Sequence, residues 1–184
     1  MAFQPKTQLL AFGATAPDFS LPGADGQTYH LHDFKNKAKA FVVIFACNHC
    51  PYVLAYEDRM IQICKDYRSS GVAFFVINAN ETKNYPEDSF EKMKEKTKLK
   101  KLPYPYLRDE DQKVAESFGA GATPEVFLFD GDLKLVYHGR IDDNWQETTK
   151  VTQHYLRDAI SALLAGKEIA KKETHPIGCS IKWG

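Results

Sequence analysis

Ala40-Phe41-Val42-Val43-Ile44-Phe45-Ala46-Cys47-Asn48-His49-Cys50-Pro51-Tyr52 is the stretch that decides the fold. Its first half is a continuous β-branched and aromatic run, too short for a buried helix and typical of a central strand covered on both faces. The strand ends directly at Cys47. From Pro51 the period changes: Val53, Glu57, Met60, Ile61, Cys64 and Tyr67 recur at three and four, which predicts a helix stopped by Ser69-Ser70-Gly71. Proline at position 51 falls in the first turn, where its missing N–H is not needed. A second buried strand follows over residues 72–77. Strand, helix and strand then form a crossover unit, right-handed if the strands are parallel, and the architecture is α/β.

Working outward, Asp18-Phe19-Ser20-Leu21 and Thr28-Tyr29-His30-Leu31 flank the turn residues Gly23-Ala24-Asp25-Gly26 and read as a β-hairpin. Helices are predicted over residues 86–99, over 110–118 with a stop at Gly119, and over 151–164 with a stop at Gly166. Tyr104-Pro105-Tyr106-Leu107 reads as a short edge segment. Glu125-Val126-Phe127-Leu128-Phe129 and Lys134-Leu135-Val136-Tyr137 flank Asp130-Gly131-Asp132, an antiparallel hairpin signal. Residues 167–184 show no period and are read as an irregular tail. The expected organisation is one domain over 1–184, with a hairpin at 12–34, a core at 39–165 and a tail at 166–184.

At 184 residues and 43% hydrophobic content the chain can bury a full core. Lysine plus arginine balances aspartate plus glutamate at 24 each, so no global field draws the protein to nucleic acid or anionic lipid. Residues 1–11 hold no apolar stretch of signal-peptide length, and none of the later residues reads as a membrane span. The expected location is the cytoplasm, with neither nucleic acid nor membrane as partner.

Four cysteines are too few for a secreted disulfide scaffold. In a reducing compartment a close pair is redox-catalytic or metal-binding more often than structural, and the spacing decides between them. Cys47 and Cys50 sit where a buried strand turns into a helix, where backbone N–H groups and the helix dipole favour a thiolate. Zinc usually needs a second ligand pair, and neither Cys64 nor Cys179 belongs to one, so redox chemistry is expected, with no metal and no cofactor. His49, next to Cys50, is placed to help hold a Cys47 thiolate; otherwise it is a solvated loop histidine.

Five motifs carry a resemblance. Gly13-Ala14-Thr15-Ala16-Pro17-Asp18-Phe19, the Cys47-Asn48-His49-Cys50-Pro51-Tyr52 segment and Ala122-Thr123-Pro124-Glu125 resemble the peroxiredoxin-like redoxin group of the thioredoxin superfamily. Gly139-Arg140-Ile141-Asp142-Asp143-Asn144 and the ending Gly178-Cys179-Ser180-Ile181-Lys182-Trp183 match that group too. The resemblance implies a thioredoxin-like fold: a central mixed sheet flanked by helices, with an N-terminal hairpin extension. It also implies a cis-proline loop at Thr123-Pro124 facing the cysteines, where Thr123, Pro124 and Pro51 would contact substrate. The activity implied is thiol-disulfide exchange, in which Cys47 attacks a substrate disulfide and Cys50 resolves the mixed disulfide. Substrates would be disulfide-bearing proteins or small thiols or peroxides, with a thioredoxin- or glutathione-type reductant.

True peroxiredoxins carry Pro-x-x-x-Thr-x-x-Cys, whereas Ile44 stands three residues before Cys47 here. No tryptophan precedes Cys47, and Phe41 stands where ordinary thioredoxins bury an aspartate. The nearest rival function is a thiol peroxidase passing through a sulfenic acid. A second rival is a thioredoxin-fold copper carrier, holding the ion between the cysteines and His138.

Asn78, Asn80 and Glu81 fall at the carboxyl ends of the two parallel strands, where open α/β sheets place their sites. Glu81 is read as a loop carboxylate, with proton relay as the alternative. Arg140 and its neighbours read as surface ion pairs, with substrate orientation as the alternative. Cys64 lies on the apolar stripe of its helix and reads as a structural thiol. Cys179 reads as structural or exposed, with a third redox thiol as the alternative. His30 and His32 are placed on one strand face, and the six lysines of residues 91–101 on a solvated helix face.

Overall fold

The structure, a computed structural model, describes residues 5–184. Met1 to Gln4, part of the stretch read as lacking a signal sequence, lie outside the described residues. The chain forms strands β1 (Ser20–Pro22) and β2 (Thr28–His30), then β3 (Ala40–Phe45), α1 (Pro51–Tyr67) and β4 (Val72–Asn78). Next come α2 (Phe90–Lys100), β5 (Tyr106–Arg108), α3 (Lys113–Phe118), β6 (Ala122–Thr123) and β7 (Glu125–Asp130). The order closes with β8 (Leu135–Gly139), α4 (Tyr155–Leu164) and β9 (Cys179–Ser180).

β3 is buried along its whole length because it is the middle strand of the five-stranded sheet β5-β4-β3-β7-β8. β4 lies parallel to it, with Phe45 opposite Ile77, and β7 antiparallel, with Phe45 opposite Glu125. The two-residue alternation of a strand divides its side chains between two layers. Ala40, Val42 and Ile44 pack with Val53, Met60 and Ile63 of α1 and Leu156 and Ile160 of α4. Phe41, Val43 and Phe45 face Phe19, Leu31, Phe75, Phe118 and Phe127. Each fully buried phenylalanine stabilises the fold by about 1.5–3 kcal/mol.

α1 begins as the sequence indicates: Cys50 is the extended residue before the helix, Pro51 its first residue, and Gly71 at φ +90° lies past its end. Other boundaries differ. The helix expected over 86–99 is broken at Ser89, whose extended backbone lets its hydroxyl accept from Lys92 N and cap α2, while Pro86–Asp88 form a separate 3-10 turn. α3 starts late because Gln112 is left-handed and the buried Asp109 carboxylate accepts from Val114 N and Ala115 N. α4 begins at Tyr155 rather than 151, since Asp143 holds Thr152 N outside helical geometry at 2.9 Å. β5 is displaced toward Arg108 because Pro105 cannot donate to the ladder; its carbonyl instead accepts from Val76 N at 3.0 Å.

The tail is not wholly irregular. β9 pairs antiparallel with β6, setting Cys179 opposite Thr123 and Ser180 opposite Ala122. Ile169 and Ile181 are buried, and Thr174 N donates to His138 O at 3.0 Å. Gly178 is required at this approach, because a Cβ there would lie 2.1 Å from the Thr123 carbonyl oxygen. Gly119 is required likewise, at φ +67° with Gln8 O 2.3 Å from any added Cβ.

His30 and His32 do not share a strand face: His30 ends β2 and His32 lies in the following 3-10 turn, beside Asp18. The lysine-rich helix buries Met93 and turns the Lys96 ammonium inward to the buried Glu57 at 2.6 Å, while the exposed Lys100 reaches the same carboxylate at 3.3 Å. No helix among the described residues is long and apolar enough to cross a membrane.

Candidate active site

Ala46 N still bonds Ile77 O at 2.9 Å, so the sheet extends to the residue before Cys47 and fixes where the chain turns into α1. The turn itself is tied to one carboxylate. Asp88, fully buried, accepts from Asn48 N at 2.6 Å on Oδ1, and from Asn80 Nδ2 at 2.7 Å on Oδ2, which also meets His49 Nδ1 at 2.6 Å. Asn48 is held further by Tyr106 Oη and by Glu87 O, and the His49 ring stacks on Tyr85. His49 is thus oriented by Asp88 rather than left as a solvated loop residue. Asn78 supports the same group: its Oδ1 accepts from Asn80 N, and its Nδ2 donates to Asp88 O at 3.4 Å.

On the far side of the sulfurs lies the Thr123–Pro124 loop, whose peptide bond is cis. Thr123 Oγ1 is 3.6 Å from Cys47 Sγ, and Thr123 O accepts from Cys50 Sγ at 3.3 Å. The loop is anchored by Glu125, whose Oε2 accepts from Gly121 N and Ala122 N, while Oε1 contacts His138 Nε2 at 2.6 Å. The tail brings the third thiol: Cys179 Sγ lies 2.7 Å from Cys50 Sγ. The cavity that reaches Cys47 measures about 10 Å³, the room of roughly one water.

Three sulfurs in contact share their protons unequally. Cys50 is pushed down to about 5, chiefly by the hydrogen bond from the Cys47 thiol, with Cys179 and the Val53 N–H adding to it against burial. Cys47 is pushed well up, by donating that bond, then by burial and the Asp88 charge. The pair therefore releases one proton easily and holds the other. An ordinary cysteine ionises near 8.5. Because a lowered thiol is anionic above its own pKa, iodoacetamide modification of the reduced protein is expected to rise with pH through about 5. Mass spectrometry of pulse-alkylated protein reads this; an inflection above 8 contradicts it.

Other sequence candidates fall elsewhere. Glu81 folds back on its own loop, accepting from Lys83 N and Asn84 N, and does not reach the sulfurs as a proton relay would. Arg140 lies over the Tyr155 ring, and its neighbour Asp142 pairs with Arg59 at 2.7 Å. Cys64 is buried, donates to Pro103 O at 3.7 Å and is pushed up to about 11 by burial. His138, the histidine of the copper-carrier reading, is committed to Glu125. The metal-ligand types gathered among the described residues are Cys47, His49 and Asp88, with donor atoms within 4.8 Å of one another. Both Asp88 oxygens there already face nitrogen partners. Pro51 is exposed at the rim of the site, beside the partly exposed Asn48 and His49.

Asp88 and Glu125 are the residues that sequence reasoning missed. A glutamate opening an otherwise apolar central strand, directly after Thr123-Pro124, was a readable signal. Asp88 gave none, being one acidic residue among several at a helix start.

A buried dithiol at a strand-to-helix junction, facing a cis-proline loop, defines a thioredoxin-like fold. Residues 11–156 match the redoxin family model, and the chain belongs to the redoxin family, an oxidoreductase. It is 30% identical over 141 residues to thiol-disulfide oxidoreductase ResA of Geobacillus thermodenitrificans, covering 74% of each chain. An uncharacterized conserved protein from Geobacillus kaustophilus superposes with a TM-score of 0.89 at 41% identity, over 97% of this chain and 95% of that one. A thiol:disulfide interchange protein of the thioredoxin family from Chlorobium tepidum superposes at 0.64 with 22% identity, over 83% and 98%, and shares the fold.

Proposed function

We propose that this protein is a thiol-disulfide oxidoreductase that cycles Cys47 and Cys50 between dithiol and disulfide. The observation that carries the reading is that both sulfurs meet Thr123 of the cis-proline loop, Cys47 Sγ 3.6 Å from its hydroxyl and Cys50 Sγ 3.3 Å from its carbonyl oxygen. Attack is assigned to Cys47 because its Sγ faces the Thr123 hydroxyl, which can donate to a thiolate, whereas Cys50 Sγ faces the Thr123 carbonyl oxygen and Cys179. As a substrate approaches, Cys47 carries the negative charge of the pair and Cys50 the remaining proton. Cys47 then attacks one sulfur of the substrate disulfide; that bond breaks, and the other substrate sulfur leaves as a thiolate. Cys50 attacks Cys47 Sγ in the mixed disulfide and expels the second substrate thiolate, which takes up the proton that Cys50 gives up. Substrate gains two electrons and the protein loses two, with Cys47 bonded to Cys50.

The substrate favoured is a disulfide-bearing protein, a segment of which docks across the rim formed by Asn48, His49 and Pro51. A dithiol protein or a glutathione-type thiol returns the couple to the reduced state. The peroxidase reading rests on one observation, the Thr123 hydroxyl 3.6 Å from Cys47 Sγ, in the role of the threonine missing at position 44. Rapid mixing of the reduced protein with hydrogen peroxide, and separately with a protein disulfide, decides between the two. Oxidation by peroxide no faster than that of a free thiolate is expected; a far faster reaction with peroxide than with the disulfide overturns the proposal.

A further inference from the structure

The C-terminal segment brings a third thiol to the site. β9 pairs with β6, so Cys179 lies directly opposite Thr123, the residue that touches both active-site cysteines. Ile181 N donates to Gly121 O at 3.0 Å and Lys182 N to Asn80 Oδ1 at 2.8 Å, fixing the segment on both sides of the loop. Gly178 lets the backbone approach to a distance at which no side chain fits. The result is a Cys50–Cys179 sulfur separation of 2.7 Å, in a row where a covalent bond of about 2.05 Å needs little further movement. Cys47 and Cys50 are buried, whereas Cys179 is partly exposed.

We propose that Cys179 is a relay thiol, which takes the disulfide over from Cys47–Cys50 and presents it to an external thiol reductant at the protein surface. The proposal rests on the Cys47–Cys50 cycle described above. In the exchange the Cys179 thiolate attacks Cys50 Sγ, the Cys47–Cys50 bond breaks, and Cys47 leaves as a thiolate that takes up the proton Cys179 gave up. One disulfide is exchanged for another, and no electrons are gained or lost. A thiol reductant then attacks Cys179 Sγ, Cys50 leaves as a thiolate, and a second reductant thiol releases Cys179, so the reductant is oxidised by two electrons. The surroundings favour the step. Cys179 is pushed up to about 12 by burial and by its hydrogen bond to Cys50, while Lys182 opposes this. Once Cys50 is held in a disulfide it carries no negative charge for that bond to serve, and the Cys179 proton is released more readily.

The test is disulfide mapping in Cys47→Ser protein, oxidised with diamide, blocked with iodoacetamide, digested without reductant and read by mass spectrometry. A peptide linked through Cys50 and Cys179 is expected, and it vanishes in the Cys47→Ser/Cys179→Ser double variant. Cys50 and Cys179 both recovered in alkylated form would overturn the relay. In wild-type protein quenched after a single oxidation, both the Cys47–Cys50 and the Cys50–Cys179 linkage are expected; the first alone counts against the relay. Cys179→Ser separates the two claims. Failure of that variant to form Cys47–Cys50 defeats the underlying cycle. Normal formation together with unlinked Cys47→Ser protein defeats only the relay. Reduction of the oxidised Cys179→Ser protein by a monothiol is expected to be several-fold slower than that of the wild type, and an equal rate also contradicts the relay.

Discussion

Cys47→Ser and Cys50→Ser proteins will each lose turnover of a protein disulfide by at least ~10³-fold, although both remain folded. The loss is that large because the two sulfurs act as one unit. Without Cys47 no mixed disulfide forms with substrate; without Cys50 it forms once and is not resolved. A serine hydroxyl occupies less space than a thiol and keeps a donor beside Thr123, so unfolding is not the cause of the loss. Steady-state reduction of a protein disulfide, coupled to a dithiol reductant, measures both variants. Turnover within tenfold of the wild type in either one shows that another thiol does the chemistry.

Asp88→Ala is expected to reduce stability by about 3–5 kcal/mol, because a fully buried carboxylate is replaced by a methyl group that accepts nothing. Asn48 N, His49 Nδ1 and Asn80 Nδ2 all lose their partner at once. The same change acts on the thiols in the opposite sense. The Asp88 charge is one of the causes that push Cys47 up, so its removal lets Cys47 ionise at lower pH. Urea unfolding of the reduced protein and pulse alkylation of the Cys47 peptide read the two effects separately. A variant as stable as the wild type would mean that the turn before α1 is held by something other than Asp88.

The parts of this site that were legible in the sequence are those with a local signature. The apolar run of β3, the break at Pro51 and the spacing of Cys47 and Cys50 each lie within a few residues, and period and turn chemistry report such patterns. The contacts that tune the site are not local. Asp88 reaches Asn48 and His49 across about 40 residues of sequence, and Cys179 reaches Cys50 across 129. Neither carries a period: Asp88 sits in a 3-10 turn, and β9 is two residues long, too short for alternation to show. Helix starts went wrong for a related reason. At Ser89, Gln112 and Thr152 the boundary is set by a side chain capping or holding a backbone N–H, and composition alone assigns those residues to the adjoining helix. Lys96 illustrates the same limit within a helix, since its inward turn depends on the buried Glu57 of a different element.

The most direct test of the Cys47–Cys50 couple is a redox titration of Cys179→Ser protein in dithiol buffers, with free thiols alkylated and the linkages mapped at each potential. The account predicts one two-electron transition, with a slope of about 30 mV per tenfold change in the oxidised-to-reduced ratio, in which Cys47 and Cys50 become linked and Cys64 remains a free thiol. Cys47 and Cys50 still alkylated at oxidising potentials, or oxidised separately without a bond between them, would contradict it.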